Sequence, residues 1–231
     1  MKVSLLLFAA LRDAVGERTL CLEVAEGATV NDLKHQLAAR YPRVEPMMKT
    51  VVCAIDDEYV KSEARLCEGA EVALIPPVSG GAVDTTPGLF RLTREVMDPQ
   101  QLAELVRRDE AGAIALFYGI VRNHSEGRDV ERLEYEAHES MAVRKLREVA
   151  DQTKRRFPEI SEIGAWHRIG VLEIGEASLL VAVSSPHRAQ AFEACHWAVD
   201  RIKEVVPVFK KEHWAGGSAW VEGHAVEEPG A

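Results

Sequence analysis

The sequence predicts two α+β domains in tandem. Three observations predict it. In both halves short apolar strands are separated by single amphipathic helical stretches, with no internal repeat. A Pro/Gly-rich break, "IPPVSGGAVDTTPG" from Ile75 to Gly88, divides the two halves. A chain of 231 residues, 47% hydrophobic and 28% charged, is long enough to build two modest cores.

The elements of the first half follow in order. Val3, Leu5 and Leu7 alternate with Lys2, Ser4 and Leu6, and Leu20, Leu22 and Val24 alternate further on. Both read as strands of one hairpin, joined by "ALRDAVGER", which is longer than a tight turn. Met1 to Ala10 also has the charge-then-apolar look of a short signal peptide, but the strand reading continues naturally into the alternation beyond it. Thr29 with Asp32 gives a capping-box start, with Asp in the usual Glu position. Val30, Leu33, Leu37, Ala38 and Tyr41 then share one helical face, and Pro42 ends that helix. "TVVCAI", "EYV" and "EVALI" complete a β-β-α-β-β-β order with Asp56-Asp57 as a turn.

Pro76-Pro77 stops the last strand, because proline cannot donate to a β-ladder. Ser79-Gly80-Gly81 has no side chain able to anchor it. These features place a first domain at 1–81, a linker at 82–88 and a second domain at 89–231.

In the second half "GLFRLTRE" reads as a strand. Asp98-Pro99 reads as an N-cap with proline at the first helical position. "AGAIALFYGIVR" is an apolar strand, and "VERLEYEA" is the expected hairpin partner across the polar loop "RNHSEGRD". An amphipathic helix runs from about Ser140 to Phe157 and stops at Pro158. "EIGAWHRIGVLEIGE" and "SLLVAVSS" supply further strands. Ser185-Pro186 is expected to cap a helix from His187 to about Val205, and "PVFKKEHW" and "AWVEG" close the fold as short strands.

Composition excludes several classes. A net charge of −9 argues against a general nucleic-acid binder. No apolar run reaches the roughly 18 residues that a membrane-spanning helix needs. Cys21, Cys53, Cys67 and Cys195 share no short spacing, which argues against a zinc site or a disulfide scaffold and fits a reducing cytoplasm.

Basic residues gather at four places in the second half: Arg122-Asn123-His124, His187-Arg188, Lys203 and Lys210-Lys211. Cations at a helix N-terminus oppose the macrodipole, so His187 and Arg188 suggest a bound anion. Together the four clusters suit a phosphorylated or otherwise acidic small molecule. Each also has a plainer reading. His187-Arg188 can be a solvated helix start. Lys203 can pair with Asp200 three residues earlier. Lys210-Lys211 can protect an edge strand, and Arg122 can close a strand. Trp166, Trp197, Trp214 and Trp220 read as core anchors, and His138 and His167 as packing or solvent residues. His187 and Lys203 lie on one helix, separated by about 24 Å at 1.5 Å per residue. Either one of them is irrelevant, or the site forms between two copies of the chain.

Residues 1–81 resemble the small, sulfur-carrying subunit of molybdopterin synthase through "VSLLLFAALRDAVG", "EYV" and "ALIPPVSGG". Residues from about 88 to 224 resemble the large subunit of the same enzyme. The matching segments are "GIVRNHSEGRDVERLEYEAHESMA", "HRIGVLEIGE", "VAVSSPHRAQAFEACHWAVDRIKEVVPVFKKE" and "WVEG". The resemblance implies a ubiquitin-like β-grasp domain followed by a larger α+β domain of α/β-hammerhead type. It implies a sulfurtransferase: a glycine thiocarboxylate at Gly81, behind Gly80, delivers sulfur to cyclic pyranopterin monophosphate to form the dithiolene of molybdopterin.

The same resemblance implies catalytic roles for Lys203 and Lys210. It implies substrate binding by Phe117, Arg122, His187 and Arg188, and by His224 where the family commonly has arginine. It implies no metal and no organic cofactor, an adenylating partner enzyme for the Gly-Gly terminus, and a homodimer through the second domain. Gly81 here is followed by Ala82, so its carboxylate must be freed by cleavage. The competing expectation is an uncleaved, non-catalytic scaffold whose tail plugs the site.

Overall fold

The computed structural model describes residues 1–76, 88–125 and 127–221. The Gly80-Gly81 tail, the linker and His224 lie outside the described residues. The chain divides into two compact units, one within Met1–Val78 and one within Ser79–Val221.

In the first unit β1 (Lys2–Leu7) is followed by a short helix, α1 (Ala9–Val15), and by β2 (Thr19–Glu23). The hairpin connector is therefore a helix and not an irregular loop. Leu11 buries completely, and Gly16 closes α1 in the left-handed conformation (φ 88°), donating its N–H to Arg12 O. The helix α2 (Val30–Arg40) carries the expected capping box. The Thr29 N–H donates to Asp32 Oδ2 at 2.8 Å, and the Asp32 N–H returns to Thr29 Oγ1 at 3.3 Å. The Thr29 N–H holds the Asp32 carboxyl below the usual carboxylate range. After Pro42 the chain does not leave helical geometry altogether: Pro42–Lys49 forms 3-10 turns before β3 (Val52–Ile55), β4 (Glu58–Val60) and β5 (Glu71–Ile75).

The sheet order is β2-β1-β5-β3-β4, with β1 and β5 parallel at the centre and the other pairs antiparallel. Val30, Leu33 and Leu37 of α2 are fully buried with Leu5, Leu7, Val72 and Leu74 of the sheet. One helix laid on a mixed sheet is the β-grasp arrangement. Truncating any of these leucines to alanine costs about 2–5 kcal/mol.

The second unit begins with β6 (Phe90–Thr93), α3 (Pro99–Val106) and β7 (Ala113–Ile120). Asp98 caps α3 through Gln100 N–H at 2.9 Å, with Pro99 at the first helical position as expected. A small hairpin, β8 (His124–Ser125) and β9 (Arg128–Asp129), precedes β10 (Arg132–Ala137) and α4 (Glu139–Arg156). Then come β11 (Glu162–Arg168), β12 (Gly170–Glu173), β13 (Ala177–Ser185), α5 (Arg188–Val205), β14 (Val208–Trp214) and β15 (Gly217–Val221).

These strands form two larger sheets, β6-β11-β13-β7 and β12-β10-β14-β15. The expected β7–β10 hairpin is not formed. β7 pairs with β13, and β10 pairs with β12 and β14 in the other sheet. β7 is apolar throughout and β10 alternates charged with apolar residues, so neither pattern dictates its neighbour, and long-range packing selects it. Lys210-Lys211 is not an edge device either, because β14 lies inside its sheet between β10 and β15.

The sheet β6-β11-β13-β7 is covered by α4 and α5 on one face and, over β11 and β13, by α3 on the other. Ala142, Leu146 and Val149 of α4 and Ala194, Ala198 and Ile202 of α5 bury with Ile163, Val181 and Val183. Leu102 and Val106 of α3 bury on the alternate residues, with Trp166, Leu180 and Ala182. β13 is accordingly buried at all nine positions. Gly164 sets the spacing on the α3 face. A Cβ there would lie 2.8 Å from Leu102 Cδ1 and 2.9 Å from Leu89 O. Of the four tryptophans only Trp166 is a fully buried anchor. Trp197 packs edge-on to Phe157, and Trp214 and Trp220 lie half-buried beneath Arg128 and Lys211.

Candidate functional site

The strands β7 and β13 and the helix α5 hold most of the candidate residues. β13 runs into α5, so the helix returns antiparallel to β13 across the sheet. Its start lies by the Ser185–Ala113 register pair, and its end reaches the Phe117–Gly119 part of β7. The candidates therefore fall at two ends of one helix.

At the C-terminal end Lys203 extends over Phe117, with Nζ 5.6 Å from the ring centroid. Phe117 is half-buried against the core on the α5 face of β7. Contacts of this kind contribute about 0.5–1 kcal/mol where exposed. The pairing of Lys203 with Asp200 is not formed; Asp200 Oδ2 is instead 3.6 Å from His196 Nε2. Arg122, exposed, follows two residues after β7 at this same end.

Lys210 sits early in β14, which begins shortly after α5 ends. Its Nζ is 3.1 Å from Glu212 Oε1, on the same side of the strand. Lys211 projects the other way, over the Trp220 ring at 5.1 Å. Lys210 is paired in register with Tyr135 of β10. Tyr135 packs edge-on to His167 with ring centroids 5.2 Å apart, and burial pushes its hydroxyl pKa up. Burial likewise pulls His167 down to about 4, so the ring is neutral. Its Nδ1 lies 2.8 Å from the Arg168 carbonyl, so Nδ1 carries the proton and donates. Ser178 Oγ donates to Gly119 O at 3.2 Å at the same end of the sheet. Tyr135 and Glu212 were not singled out by sequence. Glu212 stands beside Lys210 through alternation within β14, but only the β10–β14 register brings Tyr135 there, and alternation within β10 is the one local signal that Tyr135 shares a face with Leu133 and Ala137.

At the N-terminal end His187 is the N-cap residue and Arg188 the first residue of α5. Ser185 belongs to β13, so the expected Ser185-Pro186 cap is displaced by two residues. The His187 side chain makes no cap hydrogen bond. Both side chains are exposed. Among the described residues neither has an ion-pair partner. Gly112 permits the tight approach here: a Cβ would lie 2.6 Å from Pro186 O. Among the described residues no group of three or more His, Cys, Asp or Glu side chains is arranged to hold a metal ion.

Residues 92–205 match the family model described as MoaE protein. The molybdopterin synthase catalytic subunit of Bacillus subtilis is 43% identical over 132 residues, spanning 57% of this chain and 83% of that protein. The chain belongs to the molybdopterin synthase catalytic subunit family. The catalytic subunit of Pyrococcus abyssi is 44% identical over 124 residues, 54% of this chain and 83% of that protein. The crystal structure of molybdopterin synthase from Staphylococcus aureus superposes with a TM-score of 0.56 at 40% identity, covering 58% of this chain and 96% of that one. Residues 5–81 match the ThiS family model, so a ubiquitin-like, β-grasp unit of sulfur-carrier type precedes the catalytic unit in one chain. The protein is an enzyme of molybdopterin biosynthesis. No described helix is long and apolar enough to cross a membrane.

Proposed function

We propose that the chain is a complete molybdopterin synthase, a sulfurtransferase that carries its own sulfur donor. Residues 1–81 are the carrier domain, 82–88 the linker and 89–231 the catalytic domain. The observation that carries this reading is the ThiS-family match, which reaches Gly81 in the same chain as the catalytic-subunit match. An adenylating partner enzyme activates the Gly81 carboxylate after cleavage from Ala82, and sulfur replaces one of its oxygens. The thiocarboxylate sulfur then transfers to cyclic pyranopterin monophosphate, and two such transfers build the dithiolene.

Lys203 and Lys210 act at the reacting centre, where ammonium groups stabilise charge that develops as the cyclic phosphate opens. Arg122, His187, Arg188 and His224 bind the anionic substrate, and Phe117 supports both Lys203 and the ring system. The reaction takes place in the cytoplasm and uses no metal or organic cofactor. Two copies of the chain share each site. Arg188 and Lys203 are separated by about 22 Å along α5, too far for one small ligand within one copy.

Two experiments test this. Mass spectrometry of the chain from its own host is expected to show a carrier fragment with Gly81 as its last residue, part of it as thiocarboxylate. A chain found only at full length in cells that still make molybdopterin would sink the cleavage step and favour the uncleaved scaffold. Mixing Arg188→Ala with Lys203→Ala, each impaired alone, is expected to raise activity above that of either variant, because one of the two sites in a mixed pair has both residues intact. No such rise on mixing would place the site within a single copy.

A further inference from the structure

We propose that Tyr135 is a positioning residue for sulfur transfer: its hydroxyl, through Ser178 and the Gly119 carbonyl, sets the spacing between Lys203 and Lys210. This rests on the reading above that both lysines stand at the reacting centre, and it names the group that holds them in register.

The two lysines belong to different parts of the second unit. Lys203, near the end of α5, lies over Phe117 of β7, in the sheet β6-β11-β13-β7. Lys210 lies in β14, in the sheet β12-β10-β14-β15. Among the described residues no backbone ladder joins these two sheets. The short connection from α5 into β14 bounds the distance between the lysines but does not fix where their ammonium groups meet.

Side chains bridge the sheets at one point. Tyr135 stands opposite Lys210 in the β10–β14 register, so both side chains leave the same face of their sheet. The Tyr135 ring reaches the other sheet edge-on to the buried His167 of β11, with centroids 5.2 Å apart. Its hydroxyl bonds to Ser178, near the start of β13, and burial keeps it protonated. Ser178 Oγ gives its own hydrogen to Gly119 O at 3.2 Å, so it accepts from the tyrosine. Gly119 in turn borders Phe117: a Cβ on Gly119 would lie 2.8 Å from Phe117 Cε1. Phe117 lies beneath Lys203, 5.6 Å from its Nζ. The path therefore runs from Lys210 through Tyr135, Ser178, Gly119 and Phe117 to Lys203.

The hydroxyl is the directional link in that path. A ring contact tolerates sliding, whereas a hydrogen bond weakens steeply when bent. Reacting groups displaced by about 1 Å can lose about 100-fold in rate. Tyr135→Phe keeps the ring and removes the hydroxyl. It leaves Ser178 bonded to Gly119, so no buried donor is stranded and the fold is kept.

Steady-state sulfur transfer tests the assignment, using the protein isolated from its own host with its carrier thiocarboxylated. Tyr135→Phe is expected to lower kcat by about 5- to 50-fold with KM changed less than about twofold, while tryptophan emission stays native. Ser178→Ala, which removes the middle of the path, is expected to show the same split. Added to Lys210→Ala, Tyr135→Phe is expected to cost less than about twofold more, because it acts through that lysine. A purely structural tyrosine would lower the urea midpoint and leave kcat of the folded protein unchanged. A Tyr135→Phe kcat within about twofold of wild type, or a Tyr135→Phe cost that is undiminished in Lys210→Ala, overturns the positioning role. If Lys203→Ala and Lys210→Ala slow transfer while Tyr135→Phe and Ser178→Ala do not, only the positioning role falls. If both lysine variants transfer sulfur at the wild-type rate, the reading of the site falls and the positioning role with it.

Discussion

The two ends of α5 carry the same kind of residue in opposite circumstances. At the C-terminal end Lys203 agrees with the helix macrodipole and rests over an aromatic ring, and nearby Lys210 has a carboxylate 3.1 Å away. At the N-terminal end His187 and Arg188 oppose the macrodipole, are exposed and have no ion pair among the described residues. The first set is accounted for by the chain itself. The second is not, which leaves it open for the substrate-binding role proposed for it.

The largest expected effect breaks the chemistry at the lysine end. Lys203→Ala should slow sulfur transfer from a thiocarboxylated carrier by about 10²- to 10⁴-fold if the ammonium moves a proton at the reacting centre. Lys203→Arg keeps the charge but is a poor proton donor, so it separates the two contributions. A loss of less than about threefold in Lys203→Ala would remove this residue from the site.

Next in size is a pH effect confined to that end. His167 is neutral when folded, with its pKa pulled by burial to about 4, while in the unfolded chain it titrates near 6.5. Between those values the unfolded state binds more protons, so stability is complete above pH 6.5 and falls as pH drops toward 4. The slope is about 1.4 kcal/mol per pH unit at most, and the loss across the window is roughly 3 kcal/mol. All four tryptophans lie between 166 and 220, so their emission in urea reports on the second unit alone. His167→Gln should flatten the slope from pH 6.5 to 4, whatever it does to absolute stability. An unchanged slope would mean that another buried group dominates.

At the other end, Arg188→Ala should reduce kcat/KM by about 10- to 100-fold, chiefly through KM, because it removes hydrogen bonds from a cation to the substrate anion. An effect on kcat alone would move Arg188 from binding to the chemical step. The smallest effect is the sharpest on sign. Without substrate, Arg188→Ala should stabilise the second unit by about 0.3–1 kcal/mol, since it removes a cation from a helix N-terminus. Lys203→Ala should destabilise it by a similar amount. Urea midpoints that move in the same direction would show that the dipole does not distinguish the two ends.

Local sequence carried some elements completely. Thr29 and Asp32 announce a capping box, Asp98-Pro99 a helix start, and the alternation of Leu20 and Leu22 a strand, because each signal is satisfied within a few residues. α1 was less legible. Its seven residues bury only Ala9 and Leu11, too few to show a helical period. The β7–β10 pairing misled for a different reason. Strand order is a choice among distant partners, and neither strand contains a residue that refuses the wrong one.

The candidate site divides along the same line. The sequence by itself determined the residue types, the break after the first domain, and that His187 and Lys203 are too far apart on one helix to share a ligand. The tertiary structure decided which residues stand together: Lys203 with Phe117, Lys210 with Tyr135, and Tyr135 with His167. Among the described residues it also left β7 at the edge of its sheet. The physical reason is range. Helix length, capping and turn chemistry are settled within a few residues. The partners of a cation, the neutrality of a buried histidine and the exposure of a strand edge depend on burial and register between segments far apart in the chain.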